Sequence, residues 1–183
     1  MKNTGIFYGS STGCCHAIAE MVRVEMAIPP SDMYDISHTG GEILTRYENL
    51  ILGISTWENG SLQEDWKNFL LHAKSLNLKD KRVAIYGTGD QENYPNNFAD
   101  AMGLLYDSLL HTGCIFVGSW PADDYSFIQS KAYCNGKFIG LVMDEDTQSY
   151  YTAWRVKQWV KQLRYEFSFA EKMMHSAMSG QCM

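Results

Sequence analysis

Residues 5–20 constrain the fold of this chain most, because their character changes twice over a short distance. Gly5–Tyr8 is an apolar run typical of a buried strand, small residues follow, and apolar residues then recur at helical spacing from Ala17. A strand, a short loop and a helix in this order bring backbone N–H groups together at the helix N-terminus, where the helix dipole attracts a phosphate. The loop adds hydroxyl donors and a glycine that allows close approach: Ser10, Ser11, Thr12 and Gly13.

This loop lacks the features of the commonest nucleotide-binding motifs. No Gly-Lys-Ser/Thr follows it, so it is not a Walker loop, and its glycines do not match the GxGxxG fingerprint. It also contains no Lys or Arg. Neutral donors suit a single terminal phosphate better than a triphosphate with magnesium. The alternative interpretation of this loop is a plain strand-to-helix turn without a ligand.

Composition and charge argue against several classes of function. The chain has 183 residues, a single-domain length, with ordinary hydrophobic and charged contents of 45% and 20%. A formal net charge of −6 argues against nucleic acid and anionic membranes as ligands but permits a basic protein partner. No stretch is apolar enough to span a bilayer and the N-terminus has no signal pattern, so a cytoplasmic protein is expected.

The sequence shows no pattern typical of a metal site or of catalysis. Five cysteines have spacings that fit neither a zinc site nor a disulfide framework, so reduced thiols are expected: Cys14, Cys15, Cys114, Cys134 and Cys182. The histidines are scattered, and there is no nucleophile–base pairing and no nicotinamide fingerprint: His16, His38, His72, His111 and His175.

Short apolar runs alternate with segments of helical period along the chain. The expected strands are Ile6–Tyr8, Met33–Ile36, Leu50–Ile54, Val83–Tyr86, Ile115–Val117 and Phe138–Val142. The expected helices are roughly Cys15–Met26, Leu62–Lys74, Asn97–His111 and Tyr151–Arg164. This order predicts an α/β fold, a doubly wound parallel sheet with helices on both faces. Ligands of such sheets lie beyond the carboxyl ends of the strands, where the strand order reverses.

Three loops follow carboxyl ends of these strands and should meet at one edge of the sheet. They are residues 10–15, 55–61 and 87–94. Two of them carry an aromatic residue beside flexible ones, Trp57 and Tyr94. Either aromatic alone would be read as ordinary rim packing. Together, beside a phosphate loop, they predict a slot for a flat ring, since an aromatic face offers a ring a large contact area.

Several motifs in the same order resemble the flavodoxin family. They are Gly9–Gly13, Leu50–Trp57 with Gly60, Tyr86–Gln91 with Tyr94 and Asn97, Val117–Pro121 and Asp144–Asp146. The resemblance covers residues 3–167, and it implies a flavodoxin-like domain over residues 1–167 with a C-terminal extension over 168–183. It also implies a five-stranded sheet of order 2-1-3-4-5, with the long insertion in the last strand that marks long-chain flavodoxins.

The insertion and the C-terminal extension have no role fixed by sequence. Gly118–Lys137 is an aromatic-bearing loop that serves either as a functional or partner surface or as a structural flap over the sheet edge. The extension carries an apolar helical stripe formed by Ala170, Met173, Met174, Ala177 and Met178. The stripe belongs either to a helix extension that packs or frays, or to a surface that contacts a partner.

The resemblance implies FMN as a non-covalently held cofactor. The phosphate would be bound by Ser10, Ser11, Thr12, Gly13, Cys14 and Cys15. Trp57 and Tyr94 would flank the isoalloxazine ring, and Asn97 would bind near its pyrimidine end. The ribityl chain or the polar ring edge would be contacted by Thr56, Thr88, Gly89, Asp90 and Asp146. The turn beside the ring would be formed by Glu58, Asn59 and Gly60.

The function implied is that of a low-potential one-electron carrier and not an enzyme. The flavin would shuttle between semiquinone and hydroquinone, taking electrons from a flavodoxin reductase or another low-potential donor and passing them to acceptor enzymes. A monomer is expected. Two other readings remain open: an FMN-dependent NAD(P)H:quinone reductase of the same fold, and a binding module that has lost FMN.

Cys15 departs from the family pattern, in which this position is usually Thr or Ser. A thiol is a weak donor, so one hydroxyl bond to the phosphate is lost or weakened. Since a hydrogen bond to a charged group contributes roughly 1.5–3 kcal/mol, FMN affinity should be lower than with a hydroxyl by about tenfold or more. We therefore expect Cys15→Thr to tighten FMN binding in a titration of the apoprotein, and unchanged affinity would count against this account.

The turn Trp57–Gly60 is the second position of interest. In the resembling family the peptide here flips when the semiquinone forms, changing a type I turn towards type II. The type II turn needs positive φ at its third residue, Asn59, and asparagine tolerates this conformation. A readily populated semiquinone is the expected consequence.

Overall fold

The computed structural model of the chain describes residues 2–72 and 76–179, and it describes side chains as far as residue 168. The strands are β1 (Lys2–Tyr8), β2 (Met33–Asp35), β3 (Tyr47–Trp57), β4 (Ser61–Leu62), β5 (Arg82–Thr88), β6 (Ile115–Val117), β7 (Trp120–Pro121), β8 (Tyr133–Cys134), β9 (Lys137–Phe138) and β10 (Leu141–Met143). The helices are α1 (Cys14–Met26), α2 (Gly41–Leu44), α3 (Glu64–His72), α4 (Asp100–Leu109) and α5 (Thr152–Ser179).

The central sheet is parallel and has the order β2-β1-β3-β5-β10. The chain leaves β1 to form β2 on one side and then returns to form β3 and β5 on the other, so the order reverses between β1 and β3. The expected order 2-1-3-4-5 is therefore confirmed. The reversal point lies at the carboxyl ends of β1 and β3, where a doubly wound sheet opens a crevice for a ligand.

Helices cover both faces of the sheet, as two consecutive residues of β5 show. Successive side chains of a strand point to opposite faces. The Tyr86 hydroxyl donates to the Cys15 carbonyl of α1 at 2.8 Å, and its ring contacts Trp159 of α5. A methyl group on the neighbouring Gly87 would instead lie 2.3 Å from Met102 of α4. Thus α1 and α5 pack on one face and α4 packs on the other.

The fifth strand position is shared by two short strands. β6 pairs with Arg82–Ala84 of β5, and β10 pairs with Tyr86–Thr88 further along the same edge. Residues 118–140 lie between them and form a separate antiparallel sheet of order β7-β9-β8. The long insertion in the last strand is thus confirmed. The expected strand Phe138–Val142 is correct for Leu141 and Val142, which lie in β10, and wrong for its first residues, because Phe138 pairs with Trp120 and Tyr133 in the insertion.

Two expected helices begin later than their periodicity suggests. Leu62 pairs in β4, so the helix expected from Leu62 starts at Glu64; its expected end, at Lys74, lies outside the described residues. The helix expected from Asn97 starts at Asp100, because the Phe98 N–H donates to the Gln129 carbonyl of the insertion.

The C-terminal helix is longer than the expected Tyr151–Arg164, since its backbone continues to Ser179. The side chains of the expected apolar stripe at residues 170–178 lie outside the described part of the chain, and the domain boundary at residue 167 stays a prediction. None of the helices in the described part combines the length and apolarity needed to cross a lipid bilayer.

Candidate functional site

The loop between β1 and α1 has the geometry of an anion site. Gly13 adopts a left-handed conformation (φ 89°) as the N-cap of α1, and its N–H donates to the Ser10 hydroxyl oxygen at 3.1 Å. The first bond inside the helix runs from the Ala17 N–H to the Gly13 carbonyl at 2.9 Å. The N–H groups of residues 14–16 precede that bond, so they have no acceptor within the helix and are available to a phosphate.

The two cysteines of this loop have different positions. The Cys14 thiol lines the cavity described below, whereas Cys15 is fully buried and its Sγ lies 3.1 Å from the Ser55 hydroxyl oxygen. Burial raises the pKa of Cys15 to about 12, so the thiol is neutral. Its side chain faces Ser55 at the end of β3, and a threonine hydroxyl in the same orientation would meet Ser55. The expected gain in FMN affinity for Cys15→Thr stays a prediction.

Cys14 should react slowly with alkylating reagents in the protein without FMN. Burial, together with the charges of Glu145 and Asp146, raises its pKa to about 11. Because the thiolate is the nucleophile and a free cysteine ionises near ~8.5, labelling at pH 8 should be roughly a hundredfold slower than for a free thiol. Iodoacetamide labelling followed by mass spectrometry would measure this, with exposed Cys134 as the control.

The labelling rate of Cys14 should rise about tenfold per pH unit and level off only near pH 11, since each unit below the pKa lowers the thiolate fraction tenfold. Equal rates for Cys14 and Cys134 at pH 8 would show that the pKa of the Cys14 thiol is not raised by its surroundings.

A cavity of about 500 Å³ opens at the carboxyl edge of the sheet. Its size falls in the range of small-ligand and cofactor sites. Trp57 and Tyr94 stand at its rim, 37% and 48% exposed, which is unusual for large rings and suits them to cover a ligand. The lining residues are Thr12, Cys14, Thr56, Trp57, Glu58, Thr88, Gly89, Asp90, Tyr94, Asn97, Phe98, Ala99, Glu145 and Asp146.

The structure brings most of the sequence-predicted site residues to this cavity. Those that do not line it occupy the phosphate loop and the adjacent turn: Ser10, Ser11, Gly13, Cys15, Asn59 and Gly60. Sequence reasoning missed Phe98, Ala99 and Glu145. Glu145 could have been found from its position in the acidic run Asp144–Asp146. Ala99 gave no signal, because it has a left-handed conformation (φ 54°) that is uncommon for alanine.

The turn beside the cavity differs from the expected type I turn. β4 pairs antiparallel with the end of β3, Trp57 opposite Ser61, so the chain must reverse within residues 58–60. Positive φ occurs at Glu58 (48°) and Gly60 (89°), whereas Asn59 is not among the positive-φ residues. The expectation of a type I starting turn is therefore wrong. In this tight hairpin the left-handed conformation lies at Glu58, next to Trp57, one residue before the expected position Asn59.

We expect Gly60→Ala to destabilise the protein and to weaken FMN binding. A methyl group at Gly60 would lie 2.8 Å from Asp100 Oδ2 and 3.1 Å from Asn97 Cβ, in a backbone conformation that already disfavours a side chain. Strain and clash together should cost about 2–4 kcal/mol, which lowers the melting temperature by roughly 4–16 °C for a domain of this size.

Gly136→Ala is the matched control for this prediction. Gly136 has nearly the same conformation (φ 84°), but nothing lies within 4 Å of the added methyl group. It should cost only the backbone strain, about 1–2 kcal/mol, and leave FMN affinity unchanged. Equal losses of melting temperature in the two variants would show that the contact of the turn with residues 97–100 is unimportant.

The cavity is strongly acidic. Four carboxylates line it, Glu58, Asp90, Glu145 and Asp146, and its described lining contains no Lys or Arg. Burial opposes ionisation of Asp90, but hydrogen bonds from the Asn93 backbone and side chain and from the Glu92 N–H lower its pKa below the usual value. The site thus combines neutral phosphate donors at one end with negative charge around its mouth.

A fifth carboxylate, Asp144, holds two cavity loops together from below. It is completely buried and accepts hydrogen bonds from the Gln91 N–H at 3.1 Å and from the Asp146 N–H at 3.1 Å. It also accepts from the backbone and the hydroxyl of Thr147, at 2.9 and 2.7 Å. These bonds tie the loop that carries Tyr94 to the loop that carries Asp146.

The arrangement defines a class of protein. A doubly wound parallel sheet, a neutral phosphate loop at its first crossover and an aromatic-rimmed cavity at the same edge are typical of α/β proteins that bind a flat cofactor with a terminal phosphate. Comparison with known proteins identifies the family within this class.

The family profile described as flavodoxin matches residues 6–159, and the chain belongs to the flavodoxin family. A flavodoxin of Buchnera aphidicola is 44% identical over 164 residues, which cover 89% of this chain and 96% of that protein. A flavodoxin of a Nostoc species is 42% identical over 166 residues, covering 91% and 98%. The crystal structure of Fusobacterium nucleatum flavodoxin bound to flavin mononucleotide has a TM-score of 0.84 and 29% identity, covering 91% and 99%.

Family membership establishes the general function. Flavodoxins are electron-transfer proteins that use FMN, so this chain is an FMN-based electron carrier and not an enzyme. An electron carrier must have redox partners. The flavodoxin resemblance read from the loops at residues 9–13, 50–60 and 86–97 is thereby confirmed.

Proposed function

We propose that this protein is a low-potential one-electron carrier whose FMN lies in the cavity between Trp57 and Tyr94. The single observation that supports this most is the open rim: two half-exposed rings flank a cavity that begins at the N-terminus of α1. FMN, when bound, supplies one-electron chemistry. The protein supplies the position of the ring, the grip on its phosphate and the charge around it.

Each part of the site has a role in this proposal. The N–H groups at residues 14–16 and the hydroxyls of Ser10 and Thr12 hold the phosphate. Thr56, Thr88, Gly89 and Asp146 face the ribityl chain, and Asp90 and Asn97 face the polar edge of the ring. The absence of Lys and Arg from the described lining fits a phosphate held by neutral donors and a ring that is kept hard to reduce.

The partners are proposed at the level of their chemistry. The donor is a flavodoxin reductase or another low-potential donor, and the acceptors are redox enzymes that take single electrons. We also propose a monomer in the cytoplasm, where the free thiols of the described cysteines would stay reduced. Size-exclusion chromatography with light scattering would test the monomer.

An assay for NAD(P)H oxidation tests the carrier against a quinone reductase of the same fold. The purified protein loaded with FMN should oxidise neither NADH nor NADPH without an added reductase, with or without a quinone. NAD(P)H should be oxidised when a flavodoxin reductase is supplied together with an electron acceptor. Rapid NAD(P)H oxidation by the protein alone would contradict the proposal.

A further inference from the structure

An exposed group of aromatic rings lies at the beginning of α5. Tyr150 is 72% exposed, Trp154 is 52% exposed and Tyr151 lies between them, and we call these three residues the aromatic patch. The rings of Tyr150 and Tyr151 lie 4.3 Å apart, and those of Tyr151 and Trp154 lie 6.5 Å apart. Contiguous exposed aromatic surface of this kind is typical of a binding surface, whereas single exposed apolar residues are ordinary.

The patch is held firmly from beneath and from the side. The guanidinium of Arg155 is almost wholly buried and lies 5.2 Å from the Tyr151 ring and 4.3 Å from the Tyr125 ring of the insertion. Trp120, also from the insertion, contacts Trp154 edge-on at 6.3 Å. Rings that are already ordered lose little conformational freedom when a partner binds, which is a property of strong interface contacts.

The surroundings of the patch are acidic. Glu145 and Asp146 precede the patch with their side chains partly or fully exposed, whereas Asp144 is buried. The nearest cations in the sequence are Arg155, which is buried beneath the patch, and Lys157, which lies one turn further along α5. Glu145 accepts a hydrogen bond from the Thr152 hydroxyl, next to the patch, and it also lines the FMN cavity. Asp124 lies on the insertion side, where its carbonyl accepts from the Gln148 side chain at 2.8 Å. Carboxylates therefore lie between the aromatic patch and the mouth of the cavity.

We propose that the aromatic patch is a docking surface for a basic redox partner protein, whose Lys or Arg side chains lie on the exposed rings. Cations bind aromatic faces favourably, and the carboxylates around the patch attract such a surface over a distance. A partner seated here reaches the cavity mouth at Glu145, where an electron can pass to or from the ring. This inference rests on the proposed function and adds to it where the partner binds.

Electron transfer to ferric cytochrome c, a basic haem protein, tests the inference. The protein loaded with FMN is reduced with dithionite, freed of excess reductant and mixed anaerobically with cytochrome c, so that each event moves one electron from the flavin to the ferric haem. The test variant is Tyr150→Ser with Trp154→Ser. The control is Leu110→Ser, because Leu110 is 55% exposed and follows α4 at the opposite edge of the sheet.

We expect the double variant to lower the second-order rate constant at low salt about five- to tenfold. The FMN midpoint potentials should be unchanged, and the melting temperature should fall by only a few degrees, because the two rings contact Trp120 and Tyr151 at the surface. The control should react like the unmodified protein. An unchanged rate in the double variant, or an equal loss in the control, overturns the inference and leaves the carrier function standing. Failure of the unmodified protein to take up FMN or to reduce cytochrome c overturns the proposed function and the inference with it.

Discussion

Replacing Asp144 with alanine should destabilise the protein by about 3–5 kcal/mol and weaken FMN binding at least tenfold. The carboxylate accepts four hydrogen bonds in a site without solvent access. Its removal leaves the buried Gln91 N–H and the half-buried donors of Thr147 without this partner, and a buried donor without a partner costs roughly 1–3 kcal/mol. The melting temperature should fall by roughly 6–20 °C, since 1 kcal/mol corresponds to about 2–4 °C at this chain length.

FMN affinity should fall in the same variant because the loops that carry Tyr94 and Asp146 are no longer fixed to each other. Differential scanning calorimetry and a flavin fluorescence titration would measure the two effects. Asp123→Ala is the control, as Asp123 is an exposed carboxylate of the insertion and should change neither quantity measurably. A melting temperature within ~2 °C of the unmodified protein would show that the Asp144 hydrogen bonds do not support the site.

Removing two cavity charges, with Glu145→Gln and Asp146→Asn, should raise the midpoint potential for the second electron by about 50–100 mV. At an effective dielectric of ~20, one negative charge ~10 Å away opposes an added electron by ~1.7 kcal/mol, or roughly 70 mV. Asp146 is exposed, so solvent and salt reduce its share. Fewer charges make the reduced flavin easier to form and the protein a weaker donor.

A spectroelectrochemical titration of the protein loaded with FMN would measure this shift. The control is Glu42→Gln with Asp80→Asn, two exposed carboxylates that precede β3 and β5 at the opposite edge of the sheet. It changes the net charge equally but should move the potential by less than ~20 mV. Equal shifts in both variants would mean that overall charge, and not the cavity carboxylates, sets the potential.

The sequence was sufficient to predict the frame of this site. The order of the strands was implied by the flavodoxin resemblance. Alternating strand and helix patterns predicted the parallel sheet with helices on both faces, and the three loops at residues 10–15, 55–61 and 87–94 do meet at one edge. These features depend on local periodicity and on the rule that parallel strands end together. Local patterns carry that information directly, so a single sequence is enough to find them.

The features that sequence reasoning missed depend on contacts between distant residues. The short strand Lys137–Phe138 belongs to the insertion because Trp120 and Tyr133 pair with it, which no local pattern indicates. The left-handed conformations of Glu58 and Ala99 come from a tight hairpin and from the bond of Phe98 to the insertion. In the sequence, Asp144 is one of three consecutive acidic residues. No local pattern marks it as buried, because its burial depends on packing beneath two loops.

The most direct test of the account is a fluorescence titration of the protein freed of flavin with FMN. A ring stacked between Trp57 and Tyr94 loses its emission, so we expect nearly complete quenching that ends at one FMN per chain. Riboflavin, which lacks the phosphate held by the first turn of α1, should bind at least a hundredfold more weakly. Free-flavin emission throughout the FMN titration, or equal affinities for FMN and riboflavin, would contradict the proposed site.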